Sequence, residues 1–105
     1  MSIPPNRQRA IDALVGGRTI SFRPVGNSMQ PRIRSGQLVT VSPNIDRLEL
    51  DDIVLCRVNG HVLLHKISGI DCRNKESPEY EISNNRGRVN GWTRVIYGRV
   101  IKIED

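Results

Sequence analysis

The stretch IVLCRVNGHVLLHKI, residues 53–67, decides the fold of this chain. Two apolar runs, residues 53–58 and residues 61–67, are separated by the dipeptide Asn59-Gly60. Asn-Gly between two such runs is the strongest short-range signal for a β-hairpin, because both residues readily adopt the positive φ that a tight turn requires. The sequence therefore predicts two antiparallel strands joined at this turn.

Shorter segments of β character lie on both sides of the hairpin and are bounded by Gly, Pro, Ser and Asn, which are typical of turns. The additional strands are predicted over residues 19–22, 37–41, 80–83 and 94–103. Gly98 lies inside the last of these and marks a β-bulge. Residues 71–79 and residues 84–91 are polar and rich in Asn, Gly and charged residues, so we expect them to be exposed loops.

One helix is predicted near the N-terminus. Pro4-Pro5 precede residues 6–15, and Gly16-Gly17 follow them. Proline just before a helix and glycine just after it is the expected arrangement. The apolar residues Ala10, Ile11, Leu14 and Val15 form one stripe, and a helix of about three turns needs to dock on the rest of the molecule to be stable. We therefore predict a mainly antiparallel β fold with one short N-terminal helix.

The length and composition are those of one small globular domain. The chain has 105 residues, of which 37% are hydrophobic and 26% are charged. We expect a single domain over residues 1–105, with the helix and its cap in residues 1–17 and the β core in residues 18–105. No stretch approaches the roughly 20 apolar residues needed to cross a bilayer, and no signal peptide is evident. The sequence predicts a cytoplasmic protein that does not enter a membrane.

The formal net charge of +5 invites a nucleic-acid interpretation, which the distribution of charge does not favour. The basic residues are scattered, and aromatic residues, on which bases would stack, make up only 4% of the chain. The two cysteines, Cys56 and Cys72, have no CxxC partner and no nearby His/Cys cluster. We therefore expect no metal, no cofactor and no nucleic-acid partner.

The segment PVGNSMQP, residues 24–31, carries the most informative serine, Ser28. Gly26 and Asn27 tolerate unusual backbone angles and Pro31 fixes the exit, so the shape of the turn is closely prescribed. Such a turn can present a hydroxyl outward while directing backbone N–H groups toward one point, as an oxyanion hole requires. The alternative is an ordinary turn in which the Ser28 hydroxyl bonds to the backbone.

Residues 26–31 resemble the Ser-Met-x-Pro box of signal peptidases and their LexA-type relatives. Further segments resemble this family in the family's order, and Gln37 stands where Asp is usual. They are residues 35–41, 51–55, 63–69, 83–86 and 97–100. The resemblance covers roughly residues 20–103. It implies a LexA/signal-peptidase-like β fold and a serine peptidase that cleaves an extended protein or peptide substrate.

The strand over residues 63–69 resembles the one that carries the family's catalytic base. Bacterial members have Lys-Arg there, whereas this chain has His65-Lys66, which is similar to the His-Arg of endoplasmic-reticulum and archaeal signal peptidases. The resemblance therefore implies Ser28 as nucleophile and His65 as general base. Adjacent strand residues point to opposite faces, so only one of the pair can serve. A histidine needs no tuning of its pKa, whereas Lys66 would need desolvation. The alternative for His65 is a half-buried structural histidine.

The third member of the site departs from the family pattern. Histidine-using relatives carry Asp near the box that corresponds to residues 83–86, where this chain has Ser83-Asn84-Asn85. An asparagine carbonyl can hold the imidazole, as in Cys-His-Asn proteases, but stabilises its cation less than a carboxylate does. The main alternative to a soluble serine endopeptidase is therefore a catalytically silent member of the fold that acts as a binding or assembly module. A LexA-like DNA-associated regulator is less favoured, because about 20 residues before the β region cannot hold a helix-turn-helix.

Overall fold

A computed structural model describes Ile3 and residues 7–105 of the chain, and it is mainly antiparallel β. Over these residues the elements are α1 (Arg7–Val15), β1 (Ile20–Phe22), β2 (Leu38–Ser42), β3 (Ile53–Val58), β4 (His61–Asp71), β5 (Glu79–Ser83), β6 (Val89–Thr93) and β7 (Ile96–Glu104). The described strands form one sheet in the order β1-β2-β7-β3-β4-β5-β6, and each neighbouring pair is antiparallel. The predicted mainly β fold with a short N-terminal helix is confirmed.

The hairpin of β3 and β4 has the predicted register. Pairing runs from Ile53 with Lys66 to Val58 with His61. The two turn residues have positive φ, 49° at Asn59 and 82° at Gly60. The second strand extends to residue 71, beyond the predicted end at residue 67, because it goes on to pair with β5.

The helix docks on the sheet through Ile11, Ala13 and Leu14, which are buried. The predicted stripe was wrong at its end, because Val15 is 75% exposed and Ala13 is buried instead. A Cβ atom on Gly98 of β7 would lie only 2.6 Å from Val41 Cγ1 and 3.2 Å from Leu14 Cδ2. The Ser42 carbonyl oxygen would lie 2.7 Å from the same Cβ, so the absence of a side chain at Gly98 is required first by the close approach of β2 and then by Leu14 of the helix. The predicted Pro4-Pro5 start and Asn6 lie outside the described residues.

The C-terminal part of the chain differs from the prediction. Residues 89–93 form β6, although residues 84–91 were predicted to be a loop, and β7 begins at Ile96 rather than at Arg94. Asn90 and Gly91 disfavour a strand by themselves, and pairing with β5 overrides that preference. The predicted bulge near Gly98 is confirmed, because Leu55 pairs with Gly98 while the next residue of β3 pairs with Ile96.

The sheet curls so that β6 returns to β3, although two strands separate them in the sheet order. Thr93 Oγ1 donates a hydrogen bond to the Arg57 carbonyl at 2.6 Å, and the Arg57 N–H donates to the Val95 carbonyl at 3.1 Å. One buried cluster packs within the curled part and consists of Val54, Cys56, Val58, Ile67, Ile82 and Ile96. The other cluster includes Ile11 and Leu14 of the helix and Met29 and Ile33 of the Ser28 turn. The curl brings the start of β6 close to the middle of β4.

We expect Gly60→Val to destabilise the fold by about 1–2 kcal/mol or more, because an L-residue is strained at the positive φ of this position. No atom lies within 4 Å of a Cβ built there, so the cost is one of backbone conformation and not of crowding. Gly60→Asn is the matched control and should cost less, since asparagine tolerates this region. Urea unfolding measures both. Equal midpoints for the two variants would contradict this account of the turn.

The two cysteines should differ sharply in reactivity. Burial raises the pKa of the Cys56 thiol to about 12, and the side chain has no exposed surface, whereas Cys72 is exposed. Because the thiolate is the reactive form, one thiol should react with an aromatic disulfide reagent in the native protein and two after denaturation. In Cys72→Ser, native protein should not react. Rapid reaction of that variant would mean that Cys56 is accessible.

Candidate functional site

The backbone around Ser28 is held by buried side chains that follow it. Ser28 opens a helical turn in which the Gln30 N–H donates to the Asn27 carbonyl at 3.2 Å and the Ile33 N–H donates to the Met29 carbonyl at 3.0 Å. Met29 and Ile33 have no exposed surface and belong to the core. The position of the serine is therefore fixed by the packing of its neighbours.

Asn85 clamps this turn from the other side. Its backbone N–H donates to the Ser28 carbonyl at 2.7 Å, and its side-chain Nδ2 donates to the Gln30 carbonyl at 2.9 Å. Its Oδ1 accepts a hydrogen bond from Lys66 Nζ at 3.3 Å. The box over residues 83–86 therefore lies at the site, where it positions the serine backbone, and Lys66 supports Asn85.

His65 and Ser28, the two residues singled out from the sequence, are brought together. Ser28 Oγ and His65 Nε2 lie 3.1 Å apart, within direct hydrogen-bond reach. His65 is in the middle of β4, opposite Val54 of β3, and only 5% of it is exposed. The hydroxyl is thus placed against one ring nitrogen of a buried imidazole.

The other ring nitrogen of His65 contacts an asparagine that the sequence did not predict. His65 Nδ1 lies 2.7 Å from Asn90 Oδ1. A carbonyl oxygen can only accept, so Nδ1 carries the proton in the neutral ring and Nε2 presents its lone pair to the Ser28 hydroxyl. The expectation of this role for Asn84 or Asn85 was wrong. Asn84 Oδ1 instead accepts hydrogen bonds from its own loop, while Asn85 clamps the serine turn.

The start of β6 approaches the hairpin end closely, and this places Asn90. Asn59 Nδ2 donates to the Asn90 carbonyl at 3.4 Å. Gly91 has a φ of 141°, and a Cβ there would lie 3.1 Å from Val58 Cγ1 and 3.2 Å from Asn59 Nδ2. The glycine after Asn90 is thus required by a tight contact. The sequence shows Asn90-Gly91 as a possible close approach of the backbone, but it does not show that Asn90 would contact His65, which lies 25 residues earlier.

The environment of His65 favours the neutral ring. Burial lowers the pKa of the imidazole below its ordinary value, and the hydrogen bond with Asn90 acts in the opposite direction. An amide provides no negative charge to offset the burial, as a carboxylate would. His65 is consequently neutral at pH 7 and able to accept a proton.

Ser28 opens onto a cleft of about 470 Å³ between the serine turn and the start of β4. Val25, 55% exposed, forms an apolar part of its wall, and His61 and Leu63 line the opposite side. Among the described residues, no group of three His, Cys, Asp or Glu side chains lies close enough to hold a metal ion.

The family model described as Peptidase S24-like matches residues 9–86. The match spans most of the chain, and the chain therefore belongs to the Peptidase S24-like family, in agreement with the LexA/signal-peptidase-like resemblance. It includes Ser28 and His65 and ends before Asn90. No curated protein matches the chain. In the part of the chain that the structure describes, no helix is long and apolar enough to cross a membrane.

The hydrogen bond to Asn90 should be visible in the titration of His65. Asn90→Asp should raise the pKa of the imidazole, because a carboxylate favours the imidazolium, and Asn90→Ala should lower it, because the bond that raises it is lost. Proton NMR of the ring measures both, and a His61→Gln background removes the signal of the other histidine. An unchanged His65 pKa in both variants would contradict the contact.

Proposed function

We propose that this protein is a serine endopeptidase in which Ser28 is the nucleophile and His65 is the general base. The observation that carries the proposal is the 3.1 Å approach of Ser28 Oγ to His65 Nε2, together with the Nδ1 contact to Asn90 that leaves Nε2 as the acceptor. The substrate is an extended segment of a protein or peptide. Membership of the Peptidase S24-like family supports this class of reaction.

The reaction proceeds through an acyl-enzyme. Ser28 Oγ attacks the carbonyl carbon of the cleaved peptide bond while its proton passes to His65 Nε2. The C–N bond of the tetrahedral intermediate then breaks, and the same proton passes to the leaving amine. Water next gives a proton to Nε2 as its oxygen attacks the ester, and the return of that proton to Ser28 Oγ releases the carboxylic acid product.

The oxyanion of the intermediate is stabilised by backbone N–H groups of the serine turn. We assign this role to the N–H of Ser28, with that of Asn27 as a second donor. The Gly26 N–H is engaged elsewhere, because it donates to Ser35 Oγ at 3.2 Å. A glycine at this position has no hydroxyl to contribute, so the hole consists of backbone donors.

Two features favour His65 over Lys66 as the base. Lys66 Nζ donates to Asn85 Oδ1, so its ammonium is used in holding the clamp on the serine turn. His65 is a proton acceptor at neutral pH because burial lowers its pKa. Lys66 is therefore a positioning residue, acting on Ser28 through Asn85.

A catalytically silent binding or assembly module is the second candidate, and one observation favours it. Asn90 is neutral, so the imidazolium that forms during attack has no carboxylate at Nδ1 to stabilise it. In this alternative the same cleft binds a polypeptide without cleaving it.

A fluorophosphonate probe and a peptide library distinguish the two candidates. We expect the wild type to label at Ser28, and Ser28→Ala and His65→Ala each to lower cleavage by at least about a thousandfold, with no further loss in the double variant, because nucleophile and base act as a unit. Lys66→Met should lower cleavage far less than either of these variants, because it loosens the clamp on the serine turn but removes neither the nucleophile nor the base. Activity should rise with increasing pH as the His65 ring loses its proton. The midpoint of this rise should lie below the ordinary histidine pKa, because burial lowers the pKa of His65.

A folded wild type that neither labels nor cleaves would assign the protein to the silent class. Activity that depends on Lys66 and only develops at strongly alkaline pH would instead make lysine the base.

A further inference from the structure

A groove leads from Ser28 along the molecule and is lined by basic residues. The cleft beside Ser28 shares Ile3 and Arg7 with a larger cavity of about 640 Å³ between α1 and β1. Arg9 and Arg18 also line the larger cavity, and no Asp or Glu is among the described residues that line either part. The shared lining residues place the two cavities next to each other, and we call them together the cationic groove.

The arginines of the cationic groove are available to a ligand. Arg7, Arg9 and Arg18 are exposed, and none of them forms an ion pair with a carboxylate among the described residues. The nearby acid on the helix, Asp12, instead accepts a hydrogen bond from Gln8 Nε2 at 3.0 Å. Three uncompensated guanidinium groups along one groove favour a ligand with several negative charges.

The shape of the cationic groove favours an extended polypeptide. Residues 19–22 line it, and β1 is the terminal strand of the sheet, paired with β2 on one side only among the described strands. The open side of a terminal strand offers backbone donors and acceptors to an extended chain. Ala10, Ile20 and Phe22 add apolar surface. Among the described lining residues Phe22 and His61 have the aromatic rings, and these two give nucleic-acid bases little to stack on.

We infer that the cationic groove binds an acidic flank of the substrate, so that the peptidase acts on extended segments with Asp or Glu residues interspersed with aliphatic ones near the cleaved bond. This inference rests on the proposed function and adds the class of substrate to it. The carboxylates pair with Arg7, Arg9 and Arg18 while the backbone of the segment lies along β1.

The cleavage test compares two peptides that share one cleaved core and differ in a flank with either glutamate or glutamine. We expect the wild type to have about a tenfold higher kcat/KM for the glutamate peptide, as several exposed ion pairs would give together. The triple variant Arg7→Gln, Arg9→Gln, Arg18→Gln should lose this preference, so that its kcat/KM values for the two peptides become equal. High salt should weaken the preference in the wild type.

The matched control carries Arg47→Gln, Lys75→Gln and Lys102→Gln, three exposed residues outside the groove. It loses the same net charge and should keep the preference of the wild type. An equal loss in the two triple variants would mean that overall charge, and not the groove, selects the substrate, and would overturn the inference.

A binding measurement separates this inference from the proposed catalysis. Fluorescence anisotropy with Ser28→Ala should show tighter binding of the labelled glutamate peptide than of the glutamine peptide. If the glutamate peptide binds preferentially but the wild type neither cleaves nor labels, the proposed activity fails and the groove remains a site for acidic polypeptides. Equal binding of the two peptides, or displacement by a single-stranded oligonucleotide at a lower concentration than by unlabelled peptide, would overturn the assignment of the groove.

Discussion

The return of β6 onto β3 is the constraint on which the rest of the site depends. Thr93 Oγ1 of β6 donates to the Arg57 carbonyl of β3, which joins two strands that are not neighbours in the sheet order, and the Arg57 N–H donates to the carbonyl of Val95 in the turn that follows β6. These hydrogen bonds close the curled part of the sheet around an apolar cluster, and the same closure carries Asn90 to His65. A flat sheet would leave β5 between these two residues. The closure of the sheet therefore both buries the apolar cluster and brings Asn90 to His65.

The site combines two kinds of support. Ser28 is held through its backbone, by the buried Met29 and by the hydrogen bond from the Asn85 N–H, and its hydroxyl lies 3.1 Å from His65 Nε2. His65 is held through its ring, by a contact at each nitrogen. Asn90 fixes the tautomer with little electrostatic effect, because an amide orients the imidazole as a carboxylate does but stabilises its cation less. In the proposed reaction the imidazolium would therefore be less stabilised than beside a carboxylate, whereas the neutral resting ring is held equally well.

The parts of the structure that depend on local sequence were predictable, and those that depend on distant contacts were not. The hairpin at Asn59-Gly60 followed from turn chemistry, and the pairing of Ser28 with His65 followed from the order of the family's boxes. β6 was missed because its strand character comes from pairing with β5 and not from its own residues. Asn90 was missed for the same reason, since its partner becomes adjacent only when the sheet curls. An acidic third residue was sought within a sequence box, whereas the structure supplies an amide from the strand after it.

The hydrogen-bonded residues Ser28, His65 and Asn90 form a polar chain, and the burial of His65 bears on whether this polar chain serves only the fold. His65 is 5% exposed, and its burial lowers its pKa, so part of the folding free energy is lost whenever the pH falls far enough to charge the ring. Replacing both partners of a buried hydrogen bond by apolar groups of the same shape is often neutral or stabilising, so a core needs no such pair for its stability. On this ground the polar chain from Ser28 to Asn90 fits the peptidase proposed above, in which it would activate the serine hydroxyl, better than a purely structural role.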